Sequence, residues 1–594
     1  MIHTSLPPKF GDVDVIIAGG GTAGCILATR LADADPSLVI LVVERGRSEL
    51  ASEVFHEGDD GNGYQADLKN DALRWFVSKN QFEGTKKYRT VGCANVLGGG
   101  STVFNLMNGP PSRWDFESWE GSGWQAEDLI YSLQKRTDVA STIREAARMK
   151  SIPPMPIESQ FMTSAAKRAG WVDAQHPSDI DSMNAIWRDS DQVPDQEQER
   201  KSAAAGHLLP RINKMTYPNF HVLVESFVQR VLIDENNKVT GVEVYSPAAQ
   251  SNDEERSLTV IKARKLVVAC SGVLGTPLLL EMSGIGDPSV LDRADIPVVV
   301  PLPGVGNGYR ECPTLDYAYK TNLSPGQTTD AFTKGIMTKE DLYNNKHGLQ
   351  DLKLNTVTGK VRPSEDEIEQ FGPELRKVWD DHFKMHPGKA TTEFQLSPCH
   401  PNPIISDGSP CMGITVLSSS PISTGCIHIL EPFGENPIVF ENGYFTGEGG
   451  SLDLKLHVWM YKKQREIFRR MPCYRGERPE MHPPFAADSP AACIETTEPL
   501  PEDVEDIAYT AEDDRVLEAY ILQRAWGMWA SIGTCKMLPT EKNGVVDAEL
   551  GVHGITGLKI ADLSIIPGNL SAYMHNQMAL LIGEKAAEII LKKL

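Results

Sequence analysis

The sequence predicts an α/β fold in two domains, α+β in overall arrangement, on three observations. Its 594 residues exceed what one hydrophobic core usually serves. A strand, a glycine-rich turn, a helix and a second strand follow one another at the N-terminus. Alternating apolar segments of the antiparallel kind, such as Cys426–Leu430 and Ile438–Tyr444, come only much later.

Asp14–Ala18 is short, apolar and rich in β-branched residues, which reads as a buried parallel strand. Gly19-Gly20-Gly21-Thr22-Ala23-Gly24 follows at once, then a segment with helical spacing. A second apolar strand, Leu38–Val43, ends at Glu44, 20 positions after Gly24. This is the Rossmann-like pattern for a dinucleotide. Gly19 permits the tight turn, Gly21 lets backbone approach a pyrophosphate, and Gly24 lets helix and strand pack closely. The helix N-terminus at Thr22 and Ala23 offers free N–H groups and a positive dipole end to phosphates. Glu44, with Arg45 beside it, is placed to accept hydrogen bonds from ribose hydroxyls.

Apolar residues are 41% of the chain and charged ones 23%, as in ordinary globular proteins. A net charge of -22 disfavours nucleic acid and anionic membrane surfaces as partners. The ten cysteines form no CxxC pair and have no metal-like spacing with histidine, so neither a disulfide framework nor a metal site is expected. There is no apolar leader and no run long enough to span a membrane. The expected location is cytoplasmic, although Lys592-Lys593-Leu594 loosely resembles a peroxisomal address. A homo-oligomer stays open.

Four further blocks carry a resemblance. Ala94-Asn95-Val96-Leu97-Gly98-Gly99-Gly100-Ser101 resembles the first signature of the glucose–methanol–choline (GMC) oxidoreductases. Gly272–Pro277, running on to Ser283-Gly284-Ile285-Gly286, is similar to the second. Ile560–Ser564 with Leu580–Ala587 resembles the family's closing strand and helix. The hairpin-like stretch around Val228 matches the position whose backbone meets adenine. Several stretches, GCIHI and AEDDRVLEAYI among them, look most like the fungal alcohol (methanol) oxidase branch.

The resemblance implies FAD as cofactor, with Gly99, Gly100, Ser101 and Asp562 added to its binding set. It also implies a discontinuous flavin domain at 1–125, 215–315 and 515–594, and a substrate domain of antiparallel sheet and helices at 125–215 and 315–515. The basic side of Leu454–Met471 reads as a solvated helix face, and Ser190–Ser202 as a surface loop.

The family's chemistry is another matter. Its histidine, three residues before the glycine of a GTC-like motif, falls on Ala530. Its second polar partner, ten residues before Glu584, falls on Met574. The asparagine after the glycine turn is replaced by Phe104, with Asn105 next to it. The Asp and His of GVGxNLxDH read Glu311 and Cys312. His575, adjacent to Met574, is the leading candidate for a relocated base, ahead of Glu311 and Cys312. Trp526, Trp529, Phe104 and Met574 suggest an aromatic, apolar pocket that includes Asn105 and Ala530.

Two enzyme readings follow. One is FAD-dependent oxidation of a CH–OH or related group of a small organic substrate, aromatic or of secondary-metabolite type. The other is non-redox cyclase, dehydratase or lyase chemistry with FAD as a structural wall. A non-catalytic flavin-binding protein is the third and weakest.

Overall fold

The computed structural model of the chain describes residues 1–7, 10–48, 72–79, 89–103, 113–119, 121, 123–129, 156–174, 182–188, 202–213, 217–246, 258–338, 356–402, 404–432 and 437–594. Phe104, Asn105 and all but the last residue of the 190–202 loop lie outside them.

Val13–Ala18 forms the centre of a parallel sheet because all six of its side chains find burial on one face or the other. Ile40–Val43 lies on one side of it and the end of Leu258–Ala269 on the other. Phe220–Leu223 extends the first side and Leu558–Ile560 the second. Leu258–Ala269 is 12 residues long, so its first half can also pair antiparallel with the hairpin Phe227–Ile233 and Val239–Tyr245. The helices Thr22–Ala34 and His575–Leu591 pack against each other. Gly583 permits this approach, since a Cβ there would lie 2.6 Å from the Ala23 carbonyl oxygen. Arg30 and Glu584 pair across the same seam at 2.8 Å.

The second large sheet runs, in spatial order, Tyr474–Glu477, Pro313–Thr321, Cys411–Ser418, Thr392–Ser397, Val357–Val361, Ala185–Arg188 and Val172–Asp173. Its pairings are antiparallel except the last. Alternation divides its faces. Leu315, Tyr317, Phe394, Leu396, Ile414 and Val416 turn to a core closed by the helices Gly450–Arg469 and Pro156–Ala169. The residues between them face the first domain.

The expected domain limits shift in three places. Ser202–Asn213 packs through Ala203, Ala204 and Leu208 into the core of the parallel-sheet domain. The helix Ala511–Arg524 buries Leu517 and Ile521 in the other core, and Trp526–Gly527 adds to the second sheet. Gly425–Ile429 and Ile438–Glu441 do pair antiparallel, but in a separate three-stranded sheet with Asn307–Tyr309, packed on the helix Gly272–Met282.

The basic side of Gly450–Arg469 is not a solvated face. Arg465 is 1% exposed and bonds Glu477 at 2.9 Å, while Arg469 is buried against Glu466. Lys462 and Lys463 meet Asp514 and Glu367. Each cation has an acid because the helix is enclosed on more than its apolar stripe. Among the described residues, no helix is long and apolar enough to cross a membrane. All ten cysteines are free thiols.

Candidate active site

A cavity of about 820 Å³ runs from the tip of the Val13–Ala18 strand to the inward face of the second sheet. Gly19, Gly21, Thr22, Ala23, Glu44 and Arg45 line its first end.

The glycines there differ in what they do. Gly24 is a packing residue, since a Cβ would run into the Gly19 carbonyl, and it does not line the cavity. Gly21 is the reverse: the nearest atom to a Cβ is the Cys270 carbonyl oxygen at 4.0 Å, so the protein itself leaves the space open. Gly99, at φ +58, would place a Cβ 2.7 Å from Gly21 Cα and so brings the second glycine turn against the first. Thr22 and Ser101 lock the two turns together. Thr22 Oγ1 donates to the Gly98 carbonyl at 3.2 Å, and Ser101 Oγ donates to the same oxygen at 2.7 Å. Ser101 is thus a brace behind the cradle, while Gly99 and Gly100 line it.

Glu44 accepts N–H bonds from Gly20 and Gly46, both at 2.7 Å, one on each oxygen. Its second lone pairs remain for a ligand at the cavity wall. Asp562 accepts from Gly272 N–H (2.9 Å), the Thr276 hydroxyl (2.6 Å) and Ser564 N–H (2.8 Å). It therefore ties the closing strand to the turn of the second glycine signature, at the cavity surface. Val228 lines the same wall from the hairpin.

Sequence reasoning missed Arg74, which also lines the cavity. Arg45 lies over the Phe227 ring (4.2 Å) and Arg74 over Phe76 (4.6 Å), and neither makes an ion pair among the described residues. Burial lowers both guanidinium pKa values, Arg45 to about 10, where the like charge of Arg74 adds to the effect. Two part-desolvated cations facing a cavity, together with a bare helix N-terminus, match a diphosphate-bearing ligand. The cradle fits FAD.

At the other end the family's base position is Ala530, and it lines the cavity with Trp526, Trp529 and His575. Met574 does not. It is 0% exposed and belongs to the parallel-sheet core. The reason is helical geometry: the closing helix starts at His575, and successive residues diverge by about 100°. With 574 turned into the core, 575 turns out to the cavity. His575 Nδ1 lies 3.0 Å from the Ala572 carbonyl, and the ring also meets the Ala530 backbone. Burial pushes its pKa down to about 4, so the imidazole is neutral at ordinary pH.

Glu311 and Cys312 do not reach the cavity. Cys312 is a buried thiol packed with Leu417 and Ala572, and burial raises its pKa far out of the nucleophilic range. Glu311 is 3% exposed. It accepts from Tyr309 (2.9 Å), from Tyr444 and from the backbone N–H of Trp529. Burial raises it to about 6 against these hydrogen bonds. Trp529 holds a left-handed backbone, φ +58, which a bulky side chain seldom adopts. Glu311 secures that turn, and so it positions Trp529 and Ala530 from behind. Trp529 is also fixed by an edge-to-face contact with Trp75, 5.1 Å between centroids.

The expected apolar pocket is only half right. Asp316, Thr415, Gln395 and Ser397 line it from the second sheet. The available signal was polar residues alternating with apolar ones, Thr314 and Asp316 in Pro313–Thr321 and Glu393, Gln395 and Ser397 in Thr392–Ser397, but it needs the strand register to be read.

The family model for GMC oxidoreductases matches residues 13–310, and a second GMC oxidoreductase model matches residues 421–581. The alcohol oxidase of Candida boidinii is 28% identical, covering 99% of this chain and 96% of its own. Alcohol oxidase 1 of Komagataella phaffii is 27% identical, covering 99% and 95%. Among solved structures, a formate oxidase superposes with a TM-score of 0.73 at 20% identity, covering 98% of this chain and 99% of its own. A fungal aryl-alcohol oxidase gives 0.71 at 20%, again covering 98% and 99%. These last two show the fold. With two family models spanning both domains and a cradle that fits the dinucleotide, the chain belongs to the GMC oxidoreductase family and is an FAD-dependent enzyme.

Proposed function

We propose that this protein oxidises a CH–OH group of a small organic substrate, with His575 taking the hydroxyl proton that the family's missing histidine would otherwise receive. FAD, when bound, supplies the two-electron acceptor for the hydride. The observation that carries the reading is the exchange at the helix start: Ala530 leaves space at the cavity wall, and the neutral His575 ring lies against that residue's backbone. A neutral imidazole within reach of a hydroxyl is a competent general base. The reading requires the tautomer in which Nδ1–H donates to the Ala572 carbonyl, 3.0 Å away, and Nε2 carries the lone pair that accepts the proton.

The walls suit an organic substrate larger than methanol. Trp526 and Trp529 offer flat apolar surface, and the sheet offers polar anchors. The oxidases among the relatives, named for alcohols, support the substrate class.

Anaerobic mixing of FAD-loaded protein with excess benzyl alcohol tests the reading. The expected result is loss of the oxidised flavin's visible band with formation of an equal amount of aldehyde. A product formed while the flavin stays oxidised throughout would instead establish the non-redox alternative.

A further inference from the structure

The cavity-facing side of the second sheet is built for more than a lone hydroxyl. Its strand register places Asp316 opposite Thr415, Thr415 opposite Gln395, and Gln395 opposite Thr358, one row across four strands. Because side chains alternate, all four point to the same face. Their sequence neighbours Leu315, Val416 and Phe394 fill the core on the other face. The first three of the row line the cavity.

Asp316 is the unusual member. Its Oδ1 accepts from the Thr415 hydroxyl at 2.7 Å and its Oδ2 from the Trp526 indole N–H at 2.9 Å. Both partners are neutral, and among the described residues no cation pairs with it. Burial accordingly raises its pKa to about 6, against those two hydrogen bonds. Each carboxylate oxygen keeps a second acceptor direction. A carboxyl group in a cavity wall with spare acceptor capacity and no counter-charge costs folding energy. Pinning Trp526 does not require it, since an amide oxygen would accept the same N–H.

We propose that Asp316, flanked by Thr415 and Gln395, is a specificity subsite that accepts a hydrogen bond from a second hydroxyl of the substrate, one other than the hydroxyl oxidised. The preferred substrates are then diols or hydroxyaryl alcohols rather than simple alcohols. This rests on the alcohol-oxidation reading, so its test reads binding separately from turnover.

Unhydrated benzaldehydes lack the CH–OH group, so they can be titrated onto the oxidised holoenzyme while its visible spectrum shows both binding and that the flavin stays oxidised. The probes are para-hydroxybenzaldehyde, para-methylbenzaldehyde and para-(dimethylaminomethyl)benzaldehyde. The wild type is expected to bind the hydroxy probe about tenfold more tightly than the methyl probe. Asp316→Asn, which keeps the Trp526 anchor, and Asp316→Ala should abolish that preference. Flavin content should stay unchanged. In turnover, the same variants should raise KM for para-hydroxybenzyl alcohol by a larger factor than KM for para-methylbenzyl alcohol.

Equal binding of the three probes by the wild type, including no binding of any, overturns the subsite. So does a preference that survives in both variants, or tightest binding of the cationic probe. A matching loss of turnover on the methyl alcohol would assign Asp316 to the chemistry and overturn a recognition role. If the hydroxy preference appears and vanishes as expected while no alcohol is oxidised, the subsite stands and the oxidation reading fails.

Discussion

Glu311 and Trp529 meet through a carboxylate oxygen and a backbone N–H, so the residue that replaced the family's acid holds the turn beside the family's missing base. Glu311 thereby acts on the cavity only through Trp529 and Ala530. Replacing it by alanine removes the buried acceptor of the Trp529 N–H and the Tyr444 hydroxyl, and leaves the Tyr309 hydroxyl with Ser531. We expect Glu311→Ala to lose about 1–3 kcal/mol of stability in chemical denaturation. Glu311→Gln, which keeps an acceptor for Trp529, should recover most of it. A stability equal to wild type in both variants would remove Glu311 from the architecture of the site.

Ala530→His does not rebuild the family's site on this account. A second imidazole at 530 competes with His575 for the same stretch of wall, and kcat should fall rather than rise. Steady-state turnover of benzyl alcohol by the single variant measures this; a higher kcat would mean that His575 is idle.

The pH dependence follows from the direction of the His575 shift. Its pKa is lowered to about 4, so the neutral base persists well below the ordinary imidazole value of about 6.5. The acid limb of kcat/KM should therefore appear near pH 4–5, with a plateau through neutrality. A limb near 6.5 would place the base elsewhere or show it exposed.

Gly21 and Gly24 separate cofactor contact from packing within one motif. Gly21→Ala meets no protein atom closer than 4.0 Å and has φ -73, so the fold should tolerate it. Its methyl group occupies the approach of the pyrophosphate, and flavin content should drop at least tenfold with unchanged circular dichroism. Gly24→Ala drives a Cβ into the Gly19 carbonyl and should reduce folded yield instead. Retained flavin in Gly21→Ala would contradict the cradle.

His428 and Glu281 bind the second-signature helix to the three-stranded sheet at 2.7 Å, with side chains 10% and 0% exposed. Burial opposes the His428 charge, but the Cys426 side chain and Glu281 outweigh it and raise its pKa to about 9. A raised folded pKa stabilises fully below the unfolded value of about 6.5 and is lost as pH rises from there towards 9. His428→Ala should cost about 3–5 kcal/mol, because it leaves a buried carboxylate without its partner. It should also flatten that alkaline decline. Denaturation midpoints across this pH range measure both effects.

Much of this was legible from residues because the relevant physics is local. The Gly19–Gly24 turn, Glu44 and the strands around them form one contiguous unit, and the structure has them where the spacing puts them. The contents of the catalytic end were harder. Whether 574 or 575 faces the cavity depends on the turn where the closing helix begins, and the sequence does not fix that phase. Glu311 reads as a free acid until Tyr309, Tyr444 and Trp529 surround it, and Tyr444 comes from a turn 133 residues away in the chain. Asp316 gains meaning only from its register with Thr415. Arg465 looked solvated because its partner Glu477 is brought by tertiary packing.

The most direct test of the account is single-turnover flavin reduction by para-hydroxybenzyl alcohol, compared between wild type and His575→Gln under anaerobic conditions. Full reduction is expected in the wild type, and a rate about 10²–10⁴ lower in the variant, with equal flavin loading. Equal rates in the two proteins, with both fully loaded, would contradict it.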